Sequence, residues 1–424
     1  MAASQIPSGT ARYLRKRQYM QGACVPQVRK GLKMELRDFA TKTQIIARPN
    51  RSVGNSWVLG IDNGFSSVKG FAPNKAFTFP NCAYKLTGRY ETFTEPSSTD
   101  IVVSDADGTW VVGELALQMM ADNGGMNYEQ EMYGRTRYFT PTFREITKVG
   151  LALGLMQNHA GAWDGISPIT VQTGLPPKYL LSDREDLKDS IAGNYDFEIK
   201  VGKAPFERFK FSINRENVYV MDQPMGTMVS CVTDKNGFIS KEQSKLLERR
   251  TLIADPGFNT FDTYDIASKM LHGDPQTLDI GMGEILRRTA DELNKRYGTN
   301  LSITDMQIAL RKGYVTQYKR RERRTEKVEF ADILEAKNRE VCLEAMGKME
   351  AMYSYLQYHD NLVVTGGTGD AWFKMIQDYF AGMSTLSVIS GNRNDPALPN
   401  NYSNVRGYYL FRVGKLASAQ QKRK

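Results

Sequence analysis

The order of apolar runs, turns and helical segments predicts an α/β protein built from two similar halves. Short strand-like runs alternate with longer segments of helical spacing along the 424 residues. A strand–turn–strand unit with Asp-x-Gly in its turn occurs twice, at Asp62 and at Asp255, and a third glycine turn follows an apolar run at Gly366. The repeated unit indicates two related halves that face each other.

Composition narrows the class of protein. A hydrophobic content of 41% and an aromatic content of 10% are typical of a globular chain with ordinary cores. No run of eighteen apolar residues occurs, so no transmembrane helix is predicted. The four cysteines and three histidines are scattered without metal-ligand spacing. This argues against a zinc site and a disulfide framework, and it favours a reducing cytoplasm.

The net charge of +9 lies in the N-terminal segment, because residues 1–55 hold eleven Lys and Arg against Glu35 and Asp38. The rest of the chain is neutral, so charge alone does not make it a nucleic-acid-binding fold. Residues 1–54 lack periodicity and are predicted to be a basic, disordered extension. Two alternatives remain for them: a basic arm that contacts DNA or a partner, and an Arg-rich transit peptide.

The first half is predicted to consist mainly of strands. The polar, glycine-containing segment 121–140 is expected to be a long loop, and Pro141 is expected to open a helix because proline suits the first helical turn. A helix from Gly226 to Val232 and a charged surface helix at 240–249 follow the strands. The predicted strands lie at 57–61, 66–71, 76–79, 101–103, 109–112, from 169, and at 197–201, 206–213 and 217–221.

The second half repeats the opening unit over 251–266. After the third glycine turn, Asp370 is expected to cap a helix that contains Trp372. The other predicted elements are helices at 282–296 and about 329–358, strands from 361 and at 386–389, and a terminal helix with a basic end.

A basic segment lies at 311–328, where Lys and Arg outnumber Glu322 and Glu326. A solvated face of a loop or helix is the favoured interpretation. Contact with a polymer or with DNA is the alternative.

The three glycine turns are the candidate chemistry of the chain. Two Asp-bearing hairpins that face each other would clamp a triphosphate, with backbone amides on phosphate oxygens and with Asp62 and Asp255 on hydrated Mg²⁺. The flat turn Gly366-Gly-Thr368 would admit an adenosine. Neither a Walker motif nor a Gly-x-Gly-x-x-Gly after a strand occurs, which excludes those two kinds of nucleotide site.

Together these motifs resemble the actin/Hsp70/sugar-kinase superfamily of ATPases, and within it the bacterial actin-like proteins of the plasmid-segregation (ParM/StbA-like) type. Residues 62–69 look like the phosphate-1 motif, 255–262 like phosphate-2 and 363–368 like the adenosine motif. The resemblance spans about 56–414. Details similar to the ParM type are Thr173-Gly-Leu-Pro176, Gln223-Pro224 and Asn404-Val-Arg-Gly407.

Two departures from actin stand out. Phe65 replaces the hydroxyl residue that actin carries after the glycine, so that phosphate contact would come from the backbone or from Ser66. The interval between Gln223 and Asp255 is also longer than in actin, which implies an insertion at 233–250.

The resemblance implies an actin-like fold with two similar α/β domains, each with a mixed five-stranded sheet flanked by helices, and a nucleotide in the cleft between them. Domain I would cover 55–226 with an inserted subdomain at about 76–140. Domain II would cover 227–390 with an inserted segment at about 298–335. Residues 391–424 would return to domain I and end in a basic tail.

The resemblance also assigns roles to residues. Asp62 and Asp255 would organise Mg²⁺ and its waters, Lys69 would contact phosphates, and Gln223 would orient the attacking water, although it could instead merely cap the next helix. Asp262 is either part of the phosphate-2 site or a surface strand residue. Glu284, Arg287 and Arg288 are candidate ribose or adenine contacts. The remaining implied ATP contacts are Asn63, Gly64, Phe65, Ser66, Gly257, Phe258, Asn259, Thr260, Gly366, Gly367 and Thr368.

The implied function is a slow, polymerisation-stimulated ATPase that forms filaments with ATP and Mg²⁺. An adaptor bound to centromere-like DNA would link the filament to a plasmid, without sequence-specific DNA binding by the core and without a membrane. A non-polymerising sugar or metabolite kinase is the alternative, and it would need an Asp base and a polar pocket that the sequence does not indicate. An actin-like filament for cell shape or organelle positioning is a further alternative. An Hsp70-type chaperone would need a large substrate-binding domain after the core.

Overall fold

A computed structural model describes residues 36, 39–88, 90–91, 95–123, 134, 136–234, 236–239 and 241–422. The chain divides into two units, Met1–Glu35 and Leu36–Lys424, and all described residues belong to the second unit. The greater part of the predicted disordered extension therefore lies outside the described residues.

Strands and helices alternate along the second unit, as the sequence predicts. In its first part they are β1 (Gln44–Ala47), β2 (Trp57–Asn63), β3 (Ser67–Ala72), β4 (Lys75–Pro80), β5 (Ala83–Lys85), β6 (Ile101–Asp105), β7 (Gly108–Val112), α1 (Glu114–Asn123), α2 (Pro141–Leu155), β8 (Ile169–Leu175), α3 (Pro177–Ile191), β9 (Gly193–Val201), β10 (Glu207–Ile213), β11 (Val218–Asp222) and α4 (Gln223–Val232).

In the second part they are α5 (Lys245–Glu248), β12 (Thr251–Pro256), β13 (Phe261–Ala267), β14 (Met270–Leu271), β15 (Gln276–Leu278), α6 (Met282–Tyr297), α7 (Ile303–Lys312), β16 (Val315–Lys319), β17 (Arg324–Val328), α8 (Ala331–Met352), β18 (Asn361–Val364), α9 (Gly367–Tyr379), β19 (Ser387–Ser390) and α10 (Ser403–Gln421). Short 3₁₀ helices lie at Arg137–Phe139, Arg215–Asn217, Ser354–Leu356 and Asn400–Tyr402.

Two mixed sheets share one pattern of connections. The first has the order β1-β4-β3-β2-β8-β11, and β2 pairs antiparallel with β3 and parallel with β8. The other sheet has the order β14-β13-β12-β18-β19, and β15 also pairs with β13. In this sheet β12 pairs antiparallel with β13 and parallel with β18. The prediction of two similar α/β halves is confirmed, although each sheet has six strands where five were expected.

The sixth strand of the first sheet corrects the N-terminal boundary. Gln44–Ala47 lies in the segment predicted to be disordered, yet it pairs with β4 over Lys75–Thr78. Arg48 then forms a 2.8 Å ion pair with Asp395. The sequence hides this strand because four residues at a sheet edge need no strong apolar pattern, and β4 supplies their hydrogen bonds.

A separate sheet of order β10-β9-β6-β7-β5 corrects the inserted subdomain predicted at 76–140. β4 belongs to the first sheet, whereas β9 and β10 join the inserted strands from beyond residue 190.

Of the predicted loop 121–140, residues 124–133 and 135 lie outside the described residues, α1 extends to Asn123, and Arg137–Phe139 is a 3₁₀ helix. Helix α3 was not predicted, because its buried residues are only Asp183, Leu187 and Ile191 and its apolar stripe is therefore short.

Several helix predictions in the second half need smaller corrections. The surface helix expected at 240–249 is reduced to α5, and the helix expected at 329–358 is α8, which ends at Met352. Asp370 does not cap α9, because that helix begins at Gly367. The Asp370 carboxylate instead accepts the backbone N–H of Asn400, at 3.2 Å.

The basic segment 311–328 forms the end of α7 and the hairpin of β16 and β17. Lys319 pairs with Glu326 across this hairpin, and Arg324 pairs with Glu326 along the same strand. Its turn carries the exposed Arg320, Arg321 and Arg323, for which no ion pair occurs within the described part of the chain. The hairpin is therefore a solvated face, and contact with a polymer stays a prediction.

Helix α10 packs against β2, β3 and α4 and so lies on the first sheet. Its crossing with α4 brings the two backbones into contact at glycines, since a Cβ on Gly407 would lie 1.7 Å from the carbonyl oxygen of Gly226. This close crossing positions Asn404, one turn before Gly407, deep between the two halves. Within the described ranges, no helix combines the length and the apolar character needed to cross a membrane.

Candidate functional site

The turn between β2 and β3 carries the first acidic group. Asp62 is 3% exposed and lies opposite Lys69 in the strand register, where the two form a 3.0 Å ion pair. Two side chains hold the turn carbonyls: Asn81 donates to the carbonyl of Gly64 at 2.6 Å, and Arg137 donates to that of Asn63 at 3.0 Å. These two bonds fix the conformation of the turn, whose backbone amides are candidate donors to an anion.

Gln223 reaches this first turn from another strand end. It follows β11 as the first residue of α4, and its side-chain amide donates to the second oxygen of Asp62 at 3.2 Å. The N-cap position belongs to Asp222, so the interpretation of Gln223 as a helix cap is wrong. Asp62, Lys69 and Gln223 thus form one hydrogen-bonded group.

The turn between β12 and β13 carries the second acidic group, Asp255, which is 5% exposed. This turn is closed by a 2.7 Å bond from the Gly257 N–H to the carbonyl of Thr260. The start of α6 is fixed to the same turn, because Gly283 donates its N–H to the carbonyl of Phe258 at 2.8 Å. The hairpin and the helix that follows are therefore one rigid unit.

Burial raises the pKa values of two carboxyl groups in this second hairpin, Asp255 and Asp262. The pKa of Asp255 is raised to about 6, mainly by desolvation and with a contribution from the charge of Asp62, while a 2.6 Å hydrogen bond from Asn404 and the charge of Lys69 work in the opposite direction. Asp262, opposite Asp255 in the register, is also buried, so the interpretation as a surface residue is wrong. Burial raises the pKa of Asp262 to about 7, against hydrogen bonds from Thr277 and Thr260.

The third turn closes on the second. Gly366 has φ +79°, and a Cβ at this position would lie 2.3 Å from a carboxylate oxygen of Asp255. Thr368, in the first turn of α9, donates its hydroxyl to the carbonyl of Gly257 at 2.5 Å. Glycine is required at 366 both for the left-handed backbone and for this close approach.

Some predicted residues are engaged elsewhere. Glu284 and Arg287 pair with each other at 2.7 Å on the exposed face of α6, and Arg288 pairs with Glu284, Glu340 and Glu344. The Arg288 pairs with Glu340 and Glu344 connect α6 to α8, and a contact of Glu284, Arg287 or Arg288 with ribose or adenine stays a prediction. Gly367 starts α9, and Asn63, Phe65, Ser66, Asn259 and Thr260 lie in or beside the two hairpin turns.

Sequence reasoning did not assign a role to Asn404, Thr227 or Arg137. Asn404 donates to Asp255, while its side-chain oxygen accepts the hydroxyl of Thr227 at 2.5 Å. Asn404 stood in a quoted motif, but its residue type alone did not reveal its partner. Arg137 lies inside the segment 121–140 that was expected to be a loop, and no local signal connected it with the first turn.

The donor set fits a hydrated cation better than a fully protein-bound one. In the described part of the chain, no group of three or more His, Cys, Asp or Glu side chains could hold a metal ion. Asp62 is balanced by Lys69, whereas the hydrogen-bond partner of the buried Asp255 carboxylate among the described residues is the amide of Asn404. Two carboxylates suit Mg²⁺ when water and phosphate oxygens complete its shell.

Comparison with known proteins identifies the fold. Residues 60–226 match the family model of the N-terminal domain of actin-like proteins. A non-polymerisable quadruple mutant of pCBH ParM is similar over 85% of this chain and 100% of its own, with 17% identity and a TM-score of 0.63. The Alp12 filament structure is similar over 86% and 100%, with 16% identity and a TM-score of 0.52.

The archaeal actin homologue Ta0583, in complex with ADP, is similar over 85% of this chain and 99% of its own, with 13% identity and a TM-score of 0.56. No curated protein matches the sequence. These likenesses establish the actin-like fold and confirm the resemblance to bacterial actin-like proteins that the motifs predict.

Proposed function

We propose that this actin-like chain binds ATP with Mg²⁺ between its three glycine turns, hydrolyses it slowly and assembles into filaments. One observation carries the proposal: Asp62 and Asp255, buried on two equivalent hairpins, are close enough for the charge of Asp62 to raise the pKa of Asp255, while Gly366 packs against Asp255 and Gln223 bonds Asp62. Such an arrangement offers amides for phosphate from two sides and carboxylates for a cation.

Each turn has a distinct task in this proposal. The amides of residues 63–66 and 258–260 bind phosphate oxygens, and Lys69 neutralises part of their charge. Asp62 and Asp255 hold Mg²⁺ mainly through its waters, and the cation supplies charge stabilisation for phosphoryl transfer. The adenosine lies against Gly366, Gly367 and Thr368, with Glu284 and Arg287 as outer contacts.

Gln223 positions the attacking water. Its amide is already oriented by the hydrogen bond to Asp62, at the end of a strand and at the start of α4. An amide orients water without being a strong base, so intrinsic hydrolysis is slow. Movement of α4 on assembly would bring this amide into line, which makes turnover depend on polymerisation.

The proposed partners are other copies of the chain, and an adaptor on centromere-like DNA that couples filaments to plasmid segregation in the cytoplasm. Support comes from the fold shared with pCBH ParM and with the Alp12 filament. We further propose two domains, with residues 391–424 returning to the first, because α10 packs on β2 and β3.

Sedimentation of the full chain with ATP, with ADP and without nucleotide, each with Mg²⁺, tests the proposal. Pelleting that requires ATP is the expected result, and Asp255→Ala should abolish it. The proposal fails if the protein with ATP stays monomeric while it phosphorylates a small molecule, since that is the behaviour of a metabolite kinase.

A further inference from the structure

Arg137 lies beside the turn between β2 and β3, in contact with Asn63 and Phe65. It is only 6% exposed, and it starts the 3₁₀ helix Arg137–Phe139, whose end is fixed by hydrogen bonds from Thr140 to the carbonyl of Arg137. Its guanidinium lies over the ring of Phe65, 4.4 Å from the ring centre, and donates Nη2 to the carbonyl of Asn63. The backbone and the turn together fix the position of this cation.

The guanidinium is only partly satisfied. Its Nη1 is buried and has no hydrogen-bond partner, and no ion pair of Arg137 with a carboxylate occurs among the described residues. The side chain of Asn63, next to it, also has both polar atoms buried and unpartnered. A buried cation with a free donor is costly unless an anion completes it.

We propose that Arg137 binds the terminal phosphate of the bound triphosphate and so lets the site distinguish ATP from ADP. This inference rests on the proposed function, because it requires the turn between β2 and β3 to be a phosphate site. The guanidinium is a small planar fork, so Nη1 lies beside the same turn that Nη2 already contacts.

The sequence departure at residue 65 explains why such a cation is present. Phenylalanine has no hydroxyl to offer a phosphate, but its ring face holds a guanidinium by a cation–π contact. Phe65 also packs against the apolar cluster of the second half that contains Phe258, so its ring is fixed from two sides. The ring and Arg137 thus replace one neutral donor by a charged donor at the same turn.

Equilibrium titrations of the full chain with Mg·ATP and Mg·ADP test the inference. Arg137→Met retains bulk but removes the charge and the donors. The affinity for ATP should fall by about 10- to 100-fold, the loss expected for a charge-assisted hydrogen bond, while that for ADP changes by less than about threefold. Arg137→Lys should restore part of the ATP affinity because it retains the charge.

Two further variants separate the possible outcomes. Arg412→Met removes a guanidinium that lies over the Tyr219 ring at 3.2 Å and bonds Gln172, outside the turns, and it should leave the ATP-to-ADP ratio unchanged. Phe65→Leu removes only the ring under Arg137 and should cause a smaller ATP-selective loss.

Equal losses for ATP and ADP in Arg137→Met would show that Arg137 only holds the turn, and would overturn the inference while leaving the proposed function intact. An unchanged ratio in that variant has the same consequence. If the unmodified chain binds neither nucleotide, the proposed function fails and the inference fails with it.

Discussion

Replacing Asp255 by asparagine distinguishes two effects of this carboxylate: it lowers the stability of the free protein, and it contributes to the binding of Mg·ATP. The change retains the shape of the side chain, and an amide oxygen can still accept the hydrogen bond from Asn404. What is lost is a buried negative charge that forms no ion pair within the described residues, where Lys69 acts on it only from a distance. Asp255→Asn should therefore stabilise the free protein and weaken its complex with Mg·ATP.

The magnitude follows from the pKa of Asp255, which burial raises from 3.8 to about 6. Two units correspond to about 3 kcal/mol, an upper limit on the gain in the free energy of unfolding. The native state holds this proton more tightly than the unfolded state, so stability is lost as pH rises from about 4 to about 6 and the loss is constant above that window. The charge of Asp255 also raises the pKa of Asp262. Removing that charge therefore makes the ionised Asp262 less unfavourable, which adds to the gain in stability.

Urea unfolding without nucleotide is the measurement, at about pH 4 and at about pH 8. We expect the variant to be the more stable protein at the higher pH, with a difference that nearly disappears at the lower pH. In a parallel thermal scan, Mg·ATP should raise the melting temperature of the unmodified protein and leave that of the variant unchanged. A variant that is less stable at the higher pH, or one that Mg·ATP still stabilises, would refute the reasoning.

Two further predictions concern the other turns. Gln223→Ala should assemble normally but release phosphate about tenfold more slowly, as expected for one lost hydrogen bond to the attacking water, and an unchanged release rate would remove Gln223 from the mechanism. Gly366→Ala should lose nucleotide binding in a titration, because its Cβ would displace Asp255. Gly313→Ala is the matched control, since Gly313 also has a positive φ but nothing within 4 Å, and it should lose only about 1–2 kcal/mol of stability. Equal nucleotide binding by the two glycine variants would contradict this view of the third turn.

Local patterns predicted much of the fold. The strands β2 and β12 contain continuous apolar runs, and the turns that lead to β3 and β13 contain Asp, Asn, Pro or Gly, which favour a tight turn. Helix α6 was predicted almost to the residue, because its buried stripe keeps a regular helical period. Where the local pattern is weak, as in β1 and α3, the element depends on contacts with distant parts of the chain and could not be predicted.

By itself, the sequence determined the kind of chemistry: two Asp-x-Gly turns and one glycine turn, each after a buried strand, suited to phosphate and a hydrated cation. Only the tertiary structure decided which side chains support those turns. Gln223 bonds Asp62 from 161 positions away, and Asn404 bonds Asp255 across 149 positions. The backbone conformation of a turn depends on neighbouring residues, whereas a hydrogen bond between distant side chains exists only once the sheets and α10 have packed. For the same reason Arg137 became visible beside Phe65 only in the folded chain.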